Sequence, residues 1–71
     1  MNCYVKFIDA KGNGRLGSEW QRLITDLKTV GGVKNRVLKG VKPHGAIKAE
    51  IYSYTNVYDE KTYRLVDTVV F

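Results

Sequence analysis

The chain has 71 residues and a formal net charge of +5, with apolar and charged fractions typical of a folded domain. That length allows one small core over residues 1–71, burying about 60% of the unfolded surface, with no room for a bilobed cleft. A single cysteine, Cys3, excludes an intramolecular disulfide and a cysteine-based metal cluster. No apolar run nears the roughly 20 residues of a membrane span, and Met1 is not followed by a signal-like core, so a cytoplasmic protein that makes no use of a membrane is expected.

Residues 2–9 alternate Cys3, Val5 and Phe7 with Tyr4, Lys6 and Ile8, the period of a strand with one face in the core. Lys6 in its middle argues against a parallel sheet covered on both faces. Next comes Gly12-Asn13-Gly14-Arg15-Leu16-Gly17, which spells G-x-G-x-x-G. The paired βαβ units and the downstream acid that make this pattern a dinucleotide site are absent, so the loop is expected to be a connector and no cofactor is implied. Weak anion binding by Lys11 and Arg15 is the secondary reading. A calcium loop is excluded by Lys11 and Trp20 standing at ligand positions, and no other metal site is indicated.

Ser18 and Gln21 can form a capping box, and Trp20, Leu23, Ile24 and Leu27 recur at i, i+3, i+4 and i+7. This spacing predicts a helix from Ser18 to Val30, carrying an Arg22–Asp26 pair and ended by Gly31 and Gly32. Residues 33–41 then place Val33, Val37 and Val41 on one strand face and Lys34, Arg36 and Leu38 on the other, although the same valines also fit a helical turn. Lys42-Pro43-His44-Gly45 predicts a turn into a strand over 46–55, with Ile47, Ala49 and Ile51 inward and Lys48, Glu50, Tyr52 and Tyr54 outward. A polar turn over 56–61 leads to a last strand over 62–71 with no clearly polar face, as in a central strand.

The expected fold is two-layer α+β, β-α-β-β-β, with one helix on one face of a mostly antiparallel four-stranded sheet. Its open face would gather Tyr4, Lys6, Ile8, Lys34, Arg36, Leu38, Lys48, Tyr52 and Tyr54. The entire charge excess lies between Val33 and Lys48, where Lys34, Arg36, Lys39, Lys42 and Lys48 occur without an acid. Aromatics interleaved with cations suit a protein partner and also suit nucleic acid. With one histidine, His44, and scattered carboxylates, no nucleophile–base set is suggested. The expectation is therefore a non-enzymatic binding module that docks on a larger protein or nucleoprotein complex and modulates or inhibits it by occupancy, a build common among accessory proteins of phages and mobile elements. The alternative is direct RNA or DNA binding through Lys34, Arg36, Lys39, Lys42 and Lys48 with Tyr52 and Tyr54. Self-association through the last strand or another sheet edge is the third reading.

Overall fold

The computed structural model describes residues 1–71 and has one helix packed against a four-stranded antiparallel sheet. The strands are β1 (Cys3–Asp9), β2 (Gln21–Ile24), β3 (Ala46–Ser53) and β4 (Arg64–Val70), and the helix, α1, spans Val30–Lys39. Their order across the sheet is β2-β1-β3-β4. β2 and β3 are both antiparallel to β1 and so run the same way, which obliges the chain between them to cross β1. α1 is that crossover.

The expected layering is present, but the helix and the second strand exchange places along the chain. After β1 only one 3₁₀ turn forms, Ser18–Trp20, capped by Gly17 without a side-chain hydrogen bond, so the Ser18–Gln21 capping box does not form. β2 follows at once. Its alternation buries Trp20 and Ile24 on the core side and exposes Leu23 on the other. Arg22 disguises this period because it points inward, with its guanidinium 5.3 Å from the Phe7 ring centre and donating to the Val41 carbonyl at 3.2 Å. An arginine stem can lie along apolar surface while its head finds a carbonyl, so a cation fits a strand face that otherwise takes Ile or Val.

Helix formation instead starts at Thr29, whose Oγ1 accepts from the Gly32 N–H at 3.0 Å. Gly31 and Gly32 lie in the first turn of α1 and do not terminate a helix. Two glycines and three valines make poor intrinsic helix formers, so the decision rests on burial: Val33 and Val37 are fully inaccessible against the sheet. At the other end Arg36 and Lys39 lie in the last turn, and the Lys42 ammonium donates to the carbonyls of Leu38 and Gly40 at 2.6 and 3.2 Å. Lys34, Arg36 and Leu38 are therefore on a helix and not on a strand. The turn into β3 closes with the Ala46 N–H donating to the Pro43 carbonyl, Gly45 taking a φ of 94°.

The core joins Cys3, Val5 and Phe7 of β1 with Trp20, Ile24, Val33, Val37, Ala49, Ile51 and Val69. The glycine loop closes over the far end of β1 through an isolated bridge between Ile8 and Gly14. Its anchor is Asp9, which is buried and whose carboxylate accepts from the N–H groups of Lys11 and Asn13 and from Arg15 Nε at 2.9, 3.1 and 3.1 Å. These donors hold the Asp9 carboxyl below the usual carboxylate range, the Asn13 N–H foremost.

β4 is an edge strand and not a central one. Its pairing with β3 carries a bulge: Ile51 faces Asp67 and Tyr52 faces Leu65, leaving Val66 as the extra residue. Because side chains alternate with period two, one inserted residue transfers everything before it to the opposite face. Val69 and Asp67 consequently face the helix, whereas Leu65 and Tyr63 face away from it.

Candidate functional site

The face of the sheet opposite α1 carries a cluster of four tyrosines. Tyr4 of β1 and Tyr52 of β3 are cross-strand partners, with ring centres 6.3 Å apart. Tyr63, brought over by the β4 bulge, lies 5.4 Å from Tyr4, 6.3 Å from Tyr52 and 5.5 Å from Tyr54. All four contacts are tilted, the arrangement in which one ring's positive edge meets another's negative face. Tyr63 is thus the hub of the cluster.

Residues 54–63 wall one side of the cluster as a loop braced by its own side chains. The Thr62 hydroxyl lies 3.0 Å from the Asn56 carbonyl and 2.8 Å from the Asp59 carbonyl, and Oγ1 accepts from the Asn56 N–H. Asn56 and Asp59 accept from the N–H groups of Tyr58 and Lys61, each two residues on. The Tyr63 hydroxyl donates to the Val57 carbonyl at 2.7 Å, tying loop to cluster. Between loop and sheet lies an open groove of about 500 Å³, walled by Tyr4, Tyr52 and Tyr63, with Lys6 and Gln21 on the sheet side and Val57, Tyr58 and Glu60 on the loop side. Tyr58 is 95% exposed at its rim.

Two carboxylates, Glu50 and Glu60, act on the tyrosine hydroxyls although the whole chain is basic. The Tyr52 hydroxyl donates to Glu50 at 2.8 Å, and burial followed by that carboxylate pushes its pKa up to about 12. The hydroxyls of Tyr4 and Tyr63 are also raised, first by burial, with Tyr63 and Tyr54 respectively and then Glu60 adding to it. Lys6 is the one cation lining the groove, and it faces Glu50 across the β1–β3 ladder.

Of the residues singled out by the sequence pattern, Tyr4, Lys6, Tyr52 and Tyr54 are brought together here, with Lys48 further along the same face of β3. Lys34, Arg36 and Lys39 are not: they ride on α1, across the sheet from the tyrosines. Lys34 lies 3.6 Å from Asp67 and Arg36 lies 2.7 Å from Asp26, so the expected Arg22–Asp26 pair gives way to one spanning loop and helix. Lys42 caps the helix, with its ammonium 5.1 Å from the Phe71 ring. In the glycine loop, Arg15 is held by Asp9 and stacks 4.6 Å over Trp20, and the Lys11 N–H points at the Asp9 carboxylate. An anion there would have to displace the Asp9 carboxylate from Arg15. Cys3 is inaccessible in the core, where burial raises its pKa, and His44 is exposed in its turn.

Tyr63, Tyr58, Val57, Glu60 and Gln21 are members of the site that strand periodicity does not single out. For Tyr63 simple alternation gives the wrong face, because it groups the residue with Val69. No helix is long and apolar enough to cross a membrane. Comparison with protein-family models, with curated proteins and with solved structures gives no match to this chain.

Proposed function

We propose that this chain is a non-enzymatic, cytoplasmic binding module that docks the tyrosine-bearing face of its sheet on a protein or nucleoprotein partner and modulates it by occupancy. The observation that carries this reading is the packing of Tyr4, Tyr52, Tyr54 and Tyr63 ring to ring on the uncovered face, beside an open groove. Tyrosine suits such a role, since it offers a large amphipathic surface with little side-chain entropy to lose and is favoured at interface hot spots. The experiment is affinity capture from the native host with the intact chain as bait. Tyr52→Ala should release the specific partner, whereas Lys34→Ala and Lys39→Ala on α1 should retain it. Retention by Tyr52→Ala and loss by the helix variants would reject the reading.

Direct binding of RNA or DNA draws less support from the same geometry. Phosphate neutralisation needs cations beside the stacking rings, yet three of the five cations in the basic run ride on α1 and Glu50 and Glu60 flank the tyrosines. Nucleic-acid binding would appear as a mobility shift that weakens steeply with salt.

A further inference from the structure

We propose that the groove beside Tyr63 receives an arginine side chain of the partner, its guanidinium laid against the tyrosine rings and forked onto the Glu60 carboxylate. This rests on the docking role given above to the tyrosine face and assigns the chemistry of what docks there.

Three observations converge on that occupant. The first is shape. Tyr4, Tyr52 and Tyr63 line the groove with ring centres 5.4–6.3 Å apart and planes inclined by 44–51°, an aromatic wall of three tilted rings. Such a wall attracts a flat cation electrostatically through the ring quadrupole, and a guanidinium stacks on it better than a compact ammonium does.

The second is charge. Glu60 lines the groove, and its carboxylate enters none of the three ion pairs of the chain. Lys6, the one lining cation, stands opposite Glu50 in the ladder but forms no ion pair with it, and Glu60 is the one carboxylate among the lining residues. In a molecule of net charge +5, a carboxylate without an ion partner beside aromatic rings favours a basic, planar side chain.

The third is preorganisation. Glu60 belongs to the braced 54–63 loop, in which the Asp59 side chain caps the turn over Glu60–Thr62 by accepting from the Lys61 N–H, and the Tyr63 hydroxyl holds the Val57 carbonyl. A carboxylate on a fixed turn above fixed rings loses little freedom when a ligand arrives. The molecule already uses the same pairing of guanidinium and ring elsewhere, with Arg15 over Trp20 and Arg22 over Phe7.

The test is a titration of the isotopically labelled full chain with the capped pentapeptide Gly-Gly-Arg-Gly-Gly, followed by NMR. Parallel titrations use the citrulline peptide, which keeps the shape and removes the charge, and a short oligouridylate. The expected result is saturable shifts at Tyr4, Tyr52, Tyr63 and Glu60 with the arginine peptide, and binding about tenfold weaker with citrulline, as loss of a cation–π contact and an exposed ion pair implies. Glu60→Gln, an exposed change that leaves the loop braces in place, should weaken the arginine peptide about two- to fivefold. Equal response to arginine and citrulline, no response to either, or oligouridylate alone moving the tyrosines would overturn the assignment. Should it fall while Tyr52→Ala still releases the captured partner, the docking face stands and only the arginine is wrong. If Tyr52→Ala keeps the partner, the docking reading itself is lost.

Discussion

The two faces of this sheet are built from the same strands but put their side chains to opposite uses. On the helix face Val5, Phe7, Ile51, Val33 and Val37 are inaccessible, and two of the cations on α1, Lys34 and Arg36, already have carboxylate partners in Asp67 and Asp26. On the open face four tyrosines stack on one another, remain partly accessible and border a groove with carboxylates at its margin. The difference teaches that most of the charge excess of a sequence and its main aromatic cluster can lie on different sides of a molecule. Within the basic run from Lys34 to Lys48, Lys34 and Arg36 pair with carboxylates and Lys42 caps the helix, while Lys48 lies on β3.

The harshest way to break this contrast is Phe7→Ala. Phe7 is fully buried beneath Arg22 and beside Phe71, with ring centres 6.0 Å apart in the latter pair. Its truncation should cost about 3–5 kcal/mol. A chain of this size has about 4–11 kcal/mol of stability in all, so most of the cooperative denaturant transition should disappear and the tyrosine face should go with it. A variant with an unchanged midpoint would mean that the two faces do not share one core.

Helix placement gives the next largest effects, and they have opposite signs. Thr29→Ala removes the N-cap and should destabilise by about 1 kcal/mol. Gly31→Ala should stabilise by about 0.5–1 kcal/mol, since an added Cβ meets no atom within 4 Å and a helical residue gains from losing glycine's freedom. Had the helix ended at Gly31, that same substitution would force a side chain into the left-handed region and destabilise. Chemical denaturation of the pair therefore distinguishes the two placements by sign. Lys34→Ala, on the exposed margin of the same helix, should change stability by no more than about 1 kcal/mol, as surface ion pairs do. A larger loss would show that the helix-face charges hold the fold more firmly than their exposure implies.

How much of this was legible beforehand follows from which contacts are local. β1 and β3 read correctly as strands because Cys3, Val5, Phe7, Ala49 and Ile51 keep a period of two and are all buried, although Ile8, expected outward, is buried beneath the glycine loop and Ile47, expected inward, is 45% exposed. The number of strands, their antiparallel layering and the single helix were legible too. The helix itself was misplaced because Trp20, Leu23, Ile24 and Leu27 carry a false 3.6-residue stripe. Leu23 in fact points to the open face, while Arg22 takes an inward place that a cation rarely fills. The true helix has weak propensity and shows itself only through the Val33–Val37 spacing and Thr29, signals that tertiary burial had to complete. The site was half legible. Tyr4, Tyr52 and Tyr54 follow from alternation, but Tyr63 reaches them through a bulge at Val66, and a one-residue bulge leaves no mark in composition or period.

The gentlest prediction tests the open face alone and leaves the fold in place. Glu50→Gln removes a carboxylate from beside the Tyr52 hydroxyl, 2.8 Å away, without disturbing the burial that is the larger cause of its shift. The alkaline titration of Tyr52, followed by NMR, should move down from about 12 toward, but not to, the ordinary 10.0 of a free tyrosine. The sign for stability follows from the same shift. A folded pKa above the unfolded one means that the neutral phenol is favoured by folding. Tyr52 thus contributes stability that is complete below about pH 10, declines as pH rises, and is gone above about pH 12. In Glu50→Gln the smaller shift makes that contribution smaller, so the variant should be less stable than the parent from neutral pH to about pH 10, and the difference should shrink as pH rises toward about 12. An unmoved Tyr52 midpoint would show that Glu50 does not reach the hydroxyl.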